Sequence, residues 1–443
     1  MLPPGPTMPT ALQAVGWAQR PFAFMERAQR RYGDIFTLRI RRGHPWVLLC
    51  DPEDVKRVFT APAEAMRPGA GEANPLLGPL LGPRSVMLLD EPDHMRNRKF
   101  MLPSFHGDRM RGYGEMMVEV ASREIAGWPV GEPFALWPRM QSVSMEVVMR
   151  AVFGDTDSQE LDELRTLLRR LTDWLNDPRR LTLLTTFGAR WLTRNAGFRE
   201  VIEPVEAAVL REVARRRALP DDERDEGILA LLEQAYDESG SPMTELQLRD
   251  ELITLLSDGP TATSLAWVFE RLLRHPDKLA RLREEVLAGN DDAYTDAVVK
   301  ETLRLCPAVP LVMRKLVQPM ELGGYTIPAG TTVAPCVYLM HQREDIYPQP
   351  RTFLPERFLE QQGGRAINTY TWIPFGGGVR RCVAASFAQM EMKSVIQTML
   401  RQVDLRPVSA RSERATRSSI AFVPDQSGQV IATPRVHAGK ALA

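Results

Sequence analysis

The stretch Trp372-Ile373-Pro374-Phe375-Gly376-Gly377-Gly378-Val379-Arg380-Arg381-Cys382-Val383-Ala384 decides how this 443-residue chain is read. Three consecutive glycines reach backbone angles that a side chain forbids, so the chain bends tightly there and can lie flat against a broad object. Arg380 and Arg381 set positive charge beside the Cys382 sulfur, which favours thiolate over thiol. An apolar, helix-forming run follows from Ala384 to Leu400. With Cys382 opening that helix, the positive end of its dipole stabilises the same anion. A lone cysteine after a glycine turn is usually a buried structural residue. Here its setting offers a single thiolate from a tight loop.

The pattern Phe375-x-x-Gly378-x-Arg380-x-Cys382 resembles the haem-binding loop of the cytochrome P450 superfamily. In that family the cysteine thiolate is the axial ligand of a haem b iron and pushes electron density that favours O–O cleavage. The family usually has Gly two residues after the cysteine; Ala384 is small and still permits close packing. The resemblance implies a mainly α fold with a small β region, in one haem-thiolate domain over residues 1–443. That overrides the length prior of about three domains. It makes Cys382 the iron ligand and Phe375, Gly378 and Arg380 haem contacts.

Composition agrees with a large soluble protein. Apolar residues are 44% and charged residues 25%, both ordinary for a sizeable core. The net charge is zero, so charge gives no reason to expect nucleic acid or an anionic membrane as partner. Cys50, Cys306, Cys336 and Cys382 are not spaced as a zinc site, and they read as reduced: three structural, one a ligand. Residues 1–20 hold Pro3, Pro4, Pro6 and Pro9 and no apolar run long enough for a membrane span, so an irregular start is expected. The resemblance then implies a soluble, cytoplasmic, bacterial-type member without a membrane anchor, acting as a monomer.

Taken in order, Pro21 to Tyr32 reads as an amphipathic helix ended by Gly33. Ile35 to Leu49 reads as a hairpin turning at Arg42-Gly43-His44. Asp51-Pro52 starts a helix, Asp as cap and Pro in the first turn. Pro68 to Pro83 is Gly- and Pro-rich, hence an irregular loop. In the family this loop lies over the haem, which makes Met66, Leu76, Leu77 and Met87 candidates for pocket lining. His94 and Arg98 are four apart and share a helix face. They resemble the family's His-x-x-x-Arg pair, which holds haem propionates by charge-assisted hydrogen bonds. Arg109 to Leu219 is helical in period. Within it Trp174, Leu175, Leu181 to Leu184, Phe187 and Trp191 fall where relatives have a lid. Pro220 to Asp225 reads as an acidic surface loop.

Thr244 to His275 reads as one long helix, with a capping box from Thr244 and Gln247 and Pro276 beyond its end. In the family this helix crosses the oxygen-binding face of the haem and carries an acid–threonine pair that delivers protons. Counting back from Pro276, those five positions are Leu256-Ser257-Asp258-Gly259-Pro260, so Gly259 replaces the acid and Pro260 the threonine. Pro260 lacks an N–H and kinks the helix at Leu256. Three readings follow. A substrate hydroxyl or water does the relay; or Asp258 and Thr261 act as surrogate acid and alcohol; or the enzyme takes hydrogen peroxide and needs no relay. Peroxygenase relatives have Pro at the threonine position but Arg before it, where this chain has Gly259.

Glu301 and Arg304 share a face at i, i+3. With Phe353-x-Pro355-Glu356-Arg357-Phe358 later in the chain they resemble the family's buried Glu–Arg–Arg network. Arg314 matches a propionate-binding arginine. Val309, Val312 and, near the C-terminus, Phe422 are candidate substrate contacts alongside Met87 and Leu256. The reaction implied is insertion of one oxygen atom into an apolar substrate, a fatty acid, terpene or polyketide-like molecule of secondary metabolism. Electrons would come from a ferredoxin-type partner and its reductase, docking near Lys99, Arg380 and Arg381. A peroxide-driven oxygenase, or other unusual haem chemistry, is the rival reading. A non-catalytic haem carrier or sensor is the third.

Overall fold

The elements follow local chemistry. Asp51 accepts from the amides of Glu53 (2.9 Å) and Asp54 (3.2 Å), and Pro52 takes the first position of the helix Pro52–Thr60. Gly33, at φ 87°, ends the helix Pro21–Tyr32. The strands Ile35–Arg41 and His44–Leu49 then pair antiparallel, Ile35 opposite Leu49. This computed structural model describes residues 2–435 except 42, 68–72, 108, 155–157, 178, 181–182, 185–188, 221–226, 258, 360–366 and 419–420. The acidic stretch 221–225, Leu181 and Phe187 therefore lie outside the described residues.

The hairpin belongs to a sheet in the order Ile35–Arg41, His44–Leu49, Thr332–Pro335, Arg314–Leu316, Met66–Arg67. His44–Leu49 and Thr332–Pro335 run parallel, and Arg314 sits opposite Val333. Alternate residues face opposite sides. Val47, Leu49 and Val333 pack in one apolar cluster, Phe36, Leu48 and Ala334 in another. A third and larger cluster runs through the helical part.

Three expectations change. The start is not irregular throughout, because Thr10–Gln19 is a helix. Its four prolines all precede it, and Gln13 and Trp17, four apart, bury on one face. The Pro68–Pro83 segment contains the helix Ala73–Leu81. Pro75 lies in its first turn, where amides have no intrahelical partner.

The run 244–275 is two helices, Glu245–Leu256 and Pro260–Leu272. The capping box of Thr244 and Gln247 forms as expected. Pro260 stands at the first position of the second helix with Gly259 as its cap, so the anticipated kink is a complete break. The second helix is buried from Thr261 to Glu270, as suits a helix at the centre of an α-helical core. It packs on Leu136–Phe153, Ala293–Leu305 and Ala385–Gln402. Among the described residues, no helix is long and apolar enough to cross a membrane.

Candidate active site

The loop 372–384 is fixed through its backbone. The Cys382 amide donates to the Phe375 carbonyl (2.9 Å), and the Ile373 amide donates to His341 Nε2 (3.0 Å). Gly376 and Gly378 take φ 71° and 66°. A Cβ on Gly377 would overlap the Phe59 ring, and one on Gly378 would overlap the Phe59 carbonyl oxygen. Two of the three glycines therefore admit Phe59 of the protein's own helix Pro52–Thr60. At Gly376 a Cβ would meet only Val312, at an ordinary 3.8 Å, among the described residues.

Cys50, Cys306 and Cys336 are buried, whereas Cys382 is exposed. Burial pushes Cys306 up to about 11 and Cys50 well above the ordinary thiol value, so both stay protonated. The following helix begins at Ala385, so Cys382 stands just ahead of it rather than opening it. The dipole's support for the anion acts from that short distance.

Cations gather beside this sulfur. Burial lowers the Arg98 guanidinium, and the charge of Cys382 acts against that fall. His94 is buried and its Nδ1 lies 2.7 Å from Glu91 Oε1; Arg380 lies 3.9 Å from the same oxygen. Burial, then Arg380, holds His94 below the usual imidazole value while Glu91 opposes them. Arg314 keeps some accessible surface, but dense surrounding protein brings its guanidinium down to about 10, with Arg380 adding to the fall. Its one hydrogen bond among the described residues goes to the Met313 carbonyl, 2.8 Å. Arg98, Arg380 and His94 thus draw on one carboxylate, Glu91, and Arg314 has none among the described residues. Charges held out of water require opposite partners. The donor set fits a flat group with an iron for Cys382 and anionic carboxylates at its edge.

A second network holds the loop from behind. Arg304 donates to both oxygens of Glu301 at 2.7 and 2.9 Å, both residues being fully buried, and Arg357 Nε donates to Glu301 at 3.2 Å. His341, which the sequence did not single out, donates from Nδ1 to the Arg304 carbonyl (3.1 Å). Its bonds reach residues distant in the chain, so no local pattern announces it.

The cytochrome P450 family profile matches residues 2–431. The chain belongs to the cytochrome P450 family. It is 39% identical over 437 residues to putative cytochrome P450 135B1 of Mycobacterium tuberculosis, covering 97% of this chain and 91% of that one. Putative cytochrome P450 137 of the same organism is 35% identical over 445 residues, covering 97% and 90%. Among solved structures, retinoic acid-bound cyanobacterial CYP120A1 superposes with a TM-score of 0.81 at 22% identity, over 98% of this chain and all of that one. The fold is therefore the P450 fold, and this P450 is a monooxygenase, an oxidoreductase whose cofactor is a thiolate-ligated haem.

Of the residues expected to serve oxygen activation, Leu256 is buried at the end of the first helix and Thr261 just inside the second. Asp258 lies outside the described residues. Met87 is exposed, and Val309 and Val312 are half-buried. Phe422 is not an open pocket finger: its ring packs 5.2 Å from Phe22 and 6.2 Å from Trp17 in the core. Met66 likewise packs in a sheet cluster. Leu77 is half-buried against the main core, and nothing is described for the Leu76 side chain. Trp174 is core too, stacked 6.0 Å from Trp191. Of the expected docking cations, Arg381 is exposed, Lys99 pairs with Glu238, and Arg380 faces inward with its side chain 8% exposed.

Proposed function

We propose that this P450 inserts one oxygen atom from dioxygen into an apolar fatty-acid, terpene or polyketide-like substrate, using a broken oxygen-side helix where its family has an acid–threonine pair. In this reading Cys382 is the axial thiolate, Phe375 and Gly378 shape its loop, and His94, Arg98, Arg314 and Arg380 hold the propionates. The haem supplies the iron at which oxygen is activated and its O–O bond cleaved. Electrons come from a ferredoxin-type protein, for which exposed Arg381 is a docking residue.

The break between Leu256 and Pro260 carries the reading. Pro260 has no amide to give the Leu256 carbonyl. The amides of Thr261 and Ala262 open a new helix and lack intrahelical acceptors. These groups hold water, and Thr261, with Asp258 as acid, moves the proton that Gly259 and Pro260 cannot. The same two replacements favour a second reading, in which hydrogen peroxide brings its own protons and electrons. The test is turnover of an apolar substrate panel with reduced ferredoxin under isotopically labelled dioxygen, beside turnover with unlabelled peroxide. Label in the product under ferredoxin, with little peroxide turnover, supports dioxygen use. Product from peroxide alone puts the second reading in its place.

A further inference from the structure

Glu251 lies in the helix Glu245–Leu256 and is completely buried. Its Oε1 accepts from Asn97 Nδ2 at 2.8 Å and from the Val86 amide at 2.7 Å. Its Oε2 is buried with no partner, and so is Asn97 Oδ1. Each side chain thus has one satisfied and one orphaned head, and the satisfied heads join them. Orphaned polar atoms of this kind are costly. Two acceptors cannot satisfy each other, but a proton on Glu251 Oε2 turns it into a donor for Asn97 Oδ1. An acid and an amide then close a two-way pair.

We propose that Glu251 is held as a neutral carboxylic acid, paired in both directions with Asn97, and that it positions the loop 84–86 on the oxygen-side helix. Three successive loop residues meet that helix. The Arg84 amide donates to Asp250 Oδ2 (2.9 Å), Ser85 Oγ accepts from Thr254 Oγ1 (2.7 Å), and the Val86 amide donates to Glu251. Asn97 also donates to the Arg84 carbonyl (3.0 Å). Asn97 stands on the helix Asp93–Met101 between His94 and Arg98. The proton on Glu251 therefore bears on the pocket-side loop and on the helix carrying two cofactor-binding candidates. Glu251 is a positioning residue, acting through Asn97 and Val86.

The surrounding charges agree. Asp250, beside Glu251, disfavours its anion, and burial pushes the carboxyl up to about 8 against the two bonds it accepts. Arg249 is taken by Asp250 and Glu206, and Arg96 by Asp237. His94 and Arg98 face Glu91 and Cys382. Of the helices packed on this one, Ala73–Leu81 carries no titratable side chain, Ile228–Gln234 has its Glu233 paired with Arg217, and Leu136–Phe153 pairs Arg150 with Glu146. On Ala196–Arg217, Glu212 is taken by Arg215 and Arg216.

Glu251→Gln reproduces the neutral pattern, accepting at one head and donating at the other. Infrared difference spectra of the holoprotein against E251Q should show a protonated-carboxyl C=O band at pH 7 that is lost in E251Q and titrates with a midpoint near 8. Hydrogen exchange at the Arg84 and Val86 amides should accelerate about tenfold in the wild type, relative to E251Q, above that midpoint, as expected for loss of one net hydrogen bond. In Glu251→Ala it should be fast at every pH. Absence of the band at pH 7, or E251Q exchanging like E251A, overturns the proposal. Should E251Q fail to fold, Asn97→Leu must shift the band; an unmoved band overturns the pairing. Neither readout depends on turnover, so both stand apart from the choice between dioxygen and peroxide.

Discussion

His341 Nε2 accepts a hydrogen bond from the backbone amide of Ile373 at 3.0 Å, which couples the Glu301–Arg304 helix to the cysteine loop through one imidazole. A protonated ring has no lone pair at Nε2, so the contact requires neutral histidine. Burial, with Arg304 nearby, pushes its pKa down to about 3.

The sign follows. The folded value lies below the unfolded one of about 6.5, so the stabilisation is present above that pH and is lost as pH falls towards 3. Urea unfolding of the wild type should lose stability between pH 7 and 4, by up to about 1.4 kcal/mol per pH unit from this group. His341→Gln should be less stable at pH 7, by about 1–3 kcal/mol for the buried groups it strands. It should lose less on acidification. Parallel pH curves for the two proteins would show that His341 is not the neutral bridge.

Phe59 dictates two of the loop glycines. At Gly377 a Cβ would meet the ring; at Gly378 it would meet the backbone, with φ at 66° adding strain. Gly378→Ala should cost about 2–4 kcal/mol, the left-handed conformation alone costing about 1–2. Adding Phe59→Ala should rescue Gly377→Ala substantially and leave Gly378→Ala unrescued, a contrast that a double-mutant cycle of unfolding free energies reads directly. Equal rescue of both would contradict this geometry.

What the sequence made legible was local. Phe375, Gly378, Arg380 and Cys382 occupy one short stretch because presenting a thiolate is a loop's task. Glu301 and Arg304 meet within a helix turn. The unseen residues act across long separations: Phe59 on Gly378, Ile373 on His341, Asn97 on Glu251. Pro260 was read as a kink because apolar periodicity continues on both sides of it. The break reflects Pro260 capping a new helix whose face is buried throughout. Phe422 was assigned to the pocket from a short apolar run, which cannot distinguish pocket from core.

Arg314 tests the cofactor cradle with two opposite signs. Its guanidinium has no carboxylate partner among the described residues, and Arg380 repels it. Arg314→Leu should leave the haem-free protein as stable as the wild type or more so, because an uncompensated charge is removed. Haem affinity should fall by roughly tenfold to a hundredfold, the loss of one charge-assisted hydrogen bond worth about 1.5–3 kcal/mol. Haem titration of both apoproteins, with parallel denaturant unfolding, separates the two effects. Destabilised apoprotein with unchanged haem affinity would make Arg314 purely structural.

Thr261 is the described hydroxyl nearest the break that stands within the new helix, buried beside Pro260. Thr261→Val preserves its branched shape and removes only the hydroxyl, so the fold should lose about 1 kcal/mol. If this hydroxyl orders the water that passes protons across the break, oxygen consumption should continue while the fraction reaching product falls. An effect of about a hundredfold is expected, the low end of the usual range for one positioned proton-transfer group. The missing fraction should appear as hydrogen peroxide, measured beside product and oxygen uptake. Mutating Thr263, two residues further along the buried helix and so on its opposite side, should leave coupling unchanged. If T261V couples as well as the wild type, the proton path runs through water held at the Leu256 carbonyl, through Asp258, or through the substrate's own hydroxyl. A panel of substrates with and without that hydroxyl then isolates the last of these.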